Sequence, residues 1–133
     1  MNDKPILLVE DHPDDEFLTL HTLKKNHIEN VVVTREAKEA LNYLEMAESL
    51  GGCQGSFLPR LILLDLRLPK MDGFEFLEAV RSDERTRDIP VVILSSSQQP
   101  KDVDRCRNLG VKVYINKPLD AHKLTKAMNA LHR

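Results

Sequence analysis

Acidic, hydroxyl and amine side chains stand at the ends of several short apolar segments. Glu10 and Asp11 follow residues 6–9, Asp65 ends residues 61–65, Ser95 follows residues 90–94, and Lys117 comes just after residues 111–115. If these groups met, the carboxylates would repel one another, and a divalent cation that prefers oxygen ligands, such as Mg²⁺, would relieve the repulsion. The amine and the hydroxyl could bind phosphoryl oxygens, and a carboxylate could act as a nucleophile. These residue types predict Mg²⁺-dependent phosphoryl transfer to an aspartate.

Each of these groups alone has a plainer structural explanation. An acidic pair after a strand commonly stabilises the next helix through the helix dipole. An aspartate at a strand end commonly caps a helix or forms a turn, and Lys117-Pro118 by itself is typical of a surface turn. The groups favour one shared site only in combination, because they recur at the ends of successive apolar segments.

The elements that would position these groups alternate between strand and helix. Strands are predicted at residues 6–9, 31–33, 61–65, 90–94 and 111–115, where the residues are mostly apolar or β-branched. Helices are predicted at residues 14–27, 36–50, 73 onwards, 100–108 and 119–131, mainly from apolar residues at helical spacing. This order predicts an α/β fold with a doubly wound, five-stranded parallel sheet. The strands at residues 6–9, 61–65 and 90–94 should be central, because nearly all their residues are apolar.

The carboxyl ends of parallel strands share one edge of an open sheet, where α/β proteins bind their ligands. The chemical groups described above should therefore lie at that edge. The strand at residues 31–33 is followed by Thr34 and Arg35, to which we assign no role.

Length and composition exclude several classes of function. The chain has 133 residues, a length that suits one globular domain. Its net charge of −2 does not indicate the basic surface that nucleic-acid binding requires. Its apolar stretches are too short for a transmembrane helix, and its N-terminus leads directly into a strand without room for a signal peptide. Cys53 and Cys106 are widely separated, which predicts two reduced thiols. We expect a cytoplasmic protein with no membrane or nucleic-acid partner.

The combined motif resembles the receiver domains of two-component response regulators. The family pattern is an acidic pair after strand 1, an aspartate ending strand 3, a serine or threonine after strand 4, and Lys-Pro after strand 5. Here these are Glu10-Asp11, Asp65 followed by Pro69 and Asp72-Gly73, Ser95, and Lys117-Pro118. The resemblance spans the whole chain and implies a flavodoxin-like fold with the strand order 2-1-3-4-5.

The resemblance implies a phosphoacceptor and a metal site. Asp65 would be the phosphoacceptor, and Glu10 and Asp11 would hold Mg²⁺ with it, directly or through water. Arg67 would offer its backbone carbonyl to the metal.

The resemblance also implies a switch. Ser95 and Lys117 would bind the phosphoryl group, and the ring of Tyr114 would turn inward as Ser95 moves. A cis peptide bond would precede Pro118. The face formed by helix 4, strand 5 and helix 5 would then change its packing and dock to a partner.

The end of the chain and several segments narrow the expected subtype. The sequence stops at Arg133, after the last predicted helix, so we expect residues 1–133 to form a single receiver domain with no output domain. Residues 10–15, the loop at 51–59 and the connector at 83–88 resemble the small receivers paired with phytochromes and related sensor kinases. The implied partners are a sensor histidine kinase, such as a phytochrome-type photoreceptor kinase, a downstream target protein, and a second copy through the helix 4 to helix 5 face.

Three other functions compete with this interpretation. A dehalogenase-type phosphatase also uses a strand-end aspartate and Mg²⁺, but it needs a second aspartate where Arg67 stands. A flavodoxin-type FMN module needs a phosphate-binding loop after strand 1, and the acidic residues 10–15 would repel phosphate. A pseudo-receiver that acts without phosphorylation is the remaining alternative, although no motif residue is missing. We therefore expect a signalling domain rather than an enzyme acting on an external substrate.

Overall fold

Strands and helices alternate along the whole of the described chain. The computed structural model describes residues 4–51, 58–68, 71–96 and 99–131. The strands are β1 (Ile6–Val9), β2 (Val31–Thr34), β3 (Leu61–Leu64), β4 (Val91–Ser95) and β5 (Val113–Asn116). The helices are α1 (Pro13–Lys25), α2 (Ala37–Gly51), α3 (Gly73–Ser82), α4 (Pro100–Asn108) and α5 (Ala121–Leu131). The strands form one parallel sheet in the order β2-β1-β3-β4-β5, which confirms the predicted doubly wound, flavodoxin-like α/β fold.

The central strands are buried on both faces of the sheet. In β1, Leu7 and Val9 pack into a core cluster with α2, α3 and α4, whereas Ile6 and Leu8 pack into a second cluster with α1 and α5. Because successive strand side chains point to opposite faces, a strand covered on both sides must be apolar throughout. Strands β1, β3 and β4 are central, as predicted, and fully buried, whereas the edge strands β2 and β5 are partly exposed.

The hydrogen-bond ladder continues just beyond several strand ends. The N–H of Glu10 donates to the carbonyl of Thr34 at 2.9 Å, that of Asp65 to Val9 at 3.1 Å, and that of Lys117 to Ser95 at 2.9 Å. These bonds hold the backbones of the three charged residues at one edge of the sheet.

The loop between β3 and α3 depends on a close backbone approach. The N–H of Gly73 donates to the carbonyl of Leu66 at 2.9 Å, and a Cβ at Gly73 would lie 2.6 Å from the Cα of Leu66. The carboxylate of Asp72 caps α3 by accepting the N–H of Glu75 at 2.9 Å. Asp72-Gly73 thus forms the start of α3, at the predicted residue. Pro69 lies outside the described residues.

Two strands start later than predicted, and four strands end one residue away from the predicted boundary. β4 begins at Val91 because Pro90 has no N–H for the ladder, although its carbonyl still accepts the N–H of Ile62 at 2.9 Å. β5 begins at Val113 rather than residue 111, because the N–H of Val111 bonds the carbonyl of Cys106 at 3.1 Å and so closes the end of α4.

Helix α1 ends two residues before the predicted boundary. His27 takes a left-handed conformation with φ 66°, and its N–H donates to the carbonyl of Lys24 at 3.0 Å. The N–H of Ile28 reaches the carbonyl of Leu23 at 2.9 Å, which completes a Schellman motif. Gly110, with φ 83°, occupies the matching position after α4.

No helix among the described residues is both long enough and apolar enough to cross a membrane. Cys106 is a buried free thiol, whereas Cys53 falls in the segment that the structure does not describe.

Candidate functional site

Three carboxylates converge at the carboxyl edge of the sheet. Oxygen atoms of Glu10, Asp11 and Asp65 all lie within 4.8 Å of one another. Glu10 is fully buried and Asp65 is 6% exposed, whereas Asp11 is open to solvent. Glu10 and Asp11 follow β1, and Asp65 follows the neighbouring β3, so adjacent strands bring the three together.

The ammonium of Lys117 donates hydrogen bonds to two of these carboxylates and to that of Asp15. Its Nζ lies 2.7 Å from Oε1 of Glu10, 2.8 Å from Oδ2 of Asp15 and 3.0 Å from Oδ2 of Asp65. The lysine side chain is only 12% exposed. A lysine ammonium has three N–H donors, so these contacts use all of them.

Backbone donors satisfy the remaining oxygens of the two buried carboxylates. The N–H of His12 donates to Oε2 of Glu10 at 3.3 Å, and the N–H of Arg67 donates to Oδ1 of Asp65 at 3.0 Å. Buried charged groups require such partners, because desolvation without them is costly. Asp65 is therefore held from both sides, by Lys117 and by its own loop.

The protonation of this cluster reflects its burial and its crowding. Burial raises the pKa of Glu10 to about 7; the hydrogen bond from Lys117 opposes the rise, and the Asp65 carboxylate adds to it. Burial would lower the pKa of Lys117, but its hydrogen bonds to Asp15, Glu10 and Asp65 outweigh that effect and raise the pKa above the usual lysine value. The described cluster holds four carboxylates around one ammonium, so its acidic groups outnumber its single cation.

The carboxylates of Glu10, Asp11 and Asp65 fit a hard divalent cation. They offer only oxygen atoms, which Mg²⁺ prefers, and Asp11 leaves the cluster open to solvent on one side. A cation there would supply the positive charge that the single lysine cannot. The residues present are therefore compatible with the predicted metal site.

Ser95 and Tyr114 lie on β4 and β5, the two strands that follow β3 in the sheet. Ser95 is fully buried at the end of β4, and its carbonyl accepts the N–H of Lys117. Tyr114 lies opposite Ile93 on β5 and is half-buried against the core. The peptide bond between Lys117 and Pro118 is cis, as the resemblance implied.

Arg67 was predicted to be a site residue from the sequence, whereas Asp15 was not. Arg67 is exposed and supplies a backbone N–H to Asp65; the contact of its carbonyl with a metal stays a prediction. Asp15 was not among the candidate residues, yet it binds Lys117 directly. Its position in the first turn of α1, four residues after Asp11, was the available signal.

The sequence pattern of the response regulator receiver domain family matches residues 6–129 of this chain. One curated relative, a probable methanogenesis regulatory protein called FilR2 from Methanothrix harundinacea, is 39% identical over 127 residues, covering 95% of this chain and 79% of its own length. This chain therefore belongs to the response regulator receiver domain family, and the predicted family is confirmed.

Two solved structures support the predicted subgroup. The bacteriophytochrome response regulator AtBRR is 43% identical, with a TM-score of 0.84 and coverage of 99% of this chain and 94% of that one. The phosphorylated cyanobacterial phytochrome response regulator RcpA is 35% identical, with a TM-score of 0.77 and coverage of 98% and 92%. The chain is thus similar to receivers associated with phytochromes.

Proposed function

We propose that this receiver protein accepts a phosphoryl group on Asp65 from the phosphohistidine of a sensor histidine kinase. The observation that carries the proposal is the ion-paired contact of Lys117 with both Asp65 and Glu10 at the carboxyl edge of the sheet. This contact joins a nearly buried carboxylate to a cation that can bind a phosphoryl oxygen. Similarity to the phosphorylated regulator RcpA supports the same reaction.

In the proposed step an oxygen of Asp65 attacks the phosphorus atom. An O–P bond forms, the P–N bond of the phosphohistidine breaks, and its electron pair remains on the departing imidazole nitrogen. Lys117 moves one N–H donor to a phosphoryl oxygen, and the hydroxyl of Ser95 donates to another. Glu10, Asp11, Asp65 and the backbone carbonyl of Arg67 would hold Mg²⁺, which would supply positive charge for the phosphoryl oxygens.

The response to phosphorylation involves α4, β5 and α5. Ser95 draws toward the phosphoryl group, and the ring of Tyr114 fills the space behind it. Helix α4 has Cys106 as its buried residue, so little apolar burial opposes a change in its packing. The new face docks to a downstream protein or to a second copy of this chain.

Similarity to AtBRR favours a kinase of the phytochrome type as the donor. We place this regulator in the cytoplasm, where its kinase would reach it. Arg67 stands where a phosphatase would carry a second aspartate, so the chain promotes only its own phosphorylation and dephosphorylation.

Intact-mass measurement after incubation with acetyl phosphate and Mg²⁺ tests the proposal. We expect the gain of one phosphoryl group by the wild-type chain, and no gain by Asp65→Asn or after chelation of the metal. Asp88→Asn, an exposed aspartate in the connector before β4, is the matched control and should be phosphorylated normally.

No gain by folded wild-type protein, with no Mg²⁺ binding by calorimetry, would overturn the proposal and favour a pseudo-receiver. Gain by Asp65→Asn equal to that of the wild type would assign the phosphoryl group to another residue.

A further inference from the structure

The three carboxylates that share the Lys117 ammonium differ in their access to water. The side chain of Glu10 is 0% exposed, that of Asp65 is 8% exposed, and that of Asp15 is 34% exposed. Because all three N–H donors are in use, a phosphoryl oxygen can bind this amine only when one present contact is given up.

The exposure of each carboxylate indicates which contact is given up. Glu10 has no access to water and would be left as a poorly compensated buried charge. Asp65 is the proposed site of attachment, so the N–H donor that Lys117 gives to Asp65 can move to the phosphoryl group only after transfer. Asp15 can regain water, and the N-terminal turn of α1 favours its negative charge.

We propose that Asp15 is a positioning residue that restrains Lys117 in the unphosphorylated protein and releases it to the incoming phosphoryl group. This inference rests on the proposed function, because it assumes that Lys117 binds the phosphoryl group. Asp15 competes for the amine and adds negative charge beside an incoming dianion. Both effects slow phosphoryl transfer: the competition acts through Lys117, and the added negative charge acts by repelling the phosphoryl group.

The neighbouring Asp14 provides a matched control. It is also acidic, lies in the same first turn of α1 and is exposed, but the described contacts of the Lys117 ammonium are to Glu10, Asp15 and Asp65. Asp15→Asn and Asp14→Asn therefore remove the same formal charge at adjacent positions. Only the first removes a charged partner of the amine.

The first measurement is the initial rate of phosphorylation by acetyl phosphate with Mg²⁺, followed by intact mass. We expect Asp15→Asn to react about fivefold faster than the wild type, which is the change that loss of a partly exposed ion pair would produce. Asp14→Asn should react at nearly the wild-type rate. Asp15→Glu, which keeps the carboxylate, should stay close to the wild type.

The second measurement uses metal-free protein and does not depend on activity. Urea unfolding of Asp15→Asn, Lys117→Met and the double variant should show coupling between the two positions, and the same cycle with Asp14 should show none. The unfolding curves also establish that each variant folds, and Asp15→Ala repeats the rate test with a smaller side chain.

Each outcome bears on a distinct claim. A rate for Asp15→Asn equal to that of Asp14→Asn, or slower than the wild type, would overturn the restraint by Asp15 while leaving Asp65 as the acceptor. A folded wild-type protein that takes up no phosphoryl group would overturn the proposed function and this inference with it.

Discussion

The ammonium of Lys117 lies 2.7 Å from Oε1 of Glu10, although the two residues are 107 positions apart in the chain. The glutamate is fully buried, so this contact is the main compensation for its charge inside the protein. The contacts of this site therefore contribute to the stability of the fold. Substitutions that change its charge should alter the free energy of unfolding as well as function.

Lys117→Met should destabilise the metal-free protein. The substitution leaves Glu10 buried beside other carboxylates without its cation, and we expect a loss of about 2–3 kcal/mol in the free energy of unfolding. Mg²⁺ should restore part of this loss, because it binds the same carboxylates. Urea unfolding with chelator and with Mg²⁺ measures both effects. Lys126→Met, at an exposed position on α5, is the control, and an equal loss in both variants would contradict the prediction.

Glu10→Gln should weaken Mg²⁺ binding by about tenfold or more, because the amide removes one negative charge from the carboxylate cluster. Isothermal titration calorimetry measures the change in affinity. Glu45→Gln, an exposed position on α2, removes the same charge away from the cluster and should bind Mg²⁺ like the wild type. Unchanged affinity in Glu10→Gln would remove this residue from the metal site.

Gly73→Ala should disturb the loop that carries Asp65. The new Cβ would lie 2.6 Å from the Cα of Leu66 and 2.9 Å from the carbonyl oxygen of Asp65, and both are backbone atoms that move only with the loop. We expect a loss of about 1–3 kcal/mol in the free energy of unfolding, together with slower phosphorylation by acetyl phosphate.

Asp72→Ala separates these two effects. It removes the cap of the same helix at a cost of about 1 kcal/mol but places no atom against Leu66. Phosphorylation should be slowed in Gly73→Ala and not in Asp72→Ala; equal rates would show that the close approach does not hold Asp65 in place.

His27→Gly should stabilise the protein by about 0.5–1 kcal/mol, because His27 has φ 66°, a conformation that glycine adopts without a Cβ penalty. Thermal unfolding measures the gain. Gly110→Ala at the equivalent turn after α4 should have the opposite effect, since Gly110 has φ 83° and a Cβ there would lie 3.2 Å from Nε of Arg81. A lower melting temperature for His27→Gly would contradict the prediction.

Cys106 should react slowly with thiol reagents across neutral and mildly basic pH. Burial raises the pKa of its thiol to about 11; the charge of Asp102 adds to the rise and Arg105 opposes it. The reactive thiolate therefore accumulates only as the pH approaches that value. A Cys53→Ser variant isolates Cys106, and Ellman's reagent at pH 7 to 9 measures its rate with and without urea. Rapid reaction at pH 8 in the folded protein would contradict this burial.

The sequence alone determined the order of the elements and the residues at the edge of the sheet. Apolar runs, helical spacing and strand-end side chains are local properties of the chain, so they can be recognised without a partner. Glu10, Asp65 and Lys117 were identified in this way, and the structure brings them into contact. Family resemblance supplied the strand order and the cis bond before Pro118, which no local pattern specified.

Only the tertiary structure decided which side chains share the Lys117 ammonium. Asp15 is 102 positions from Lys117, and its place four residues after Asp11 indicates only that it lies near the acidic pair, not that it binds the lysine. The start of β5 is a local matter by comparison, because the N–H of Val111 bonds the carbonyl of Cys106 five residues earlier. The contact of Asp15 with Lys117 depends on the packing of distant segments, whereas local sequence specifies only the types of group available.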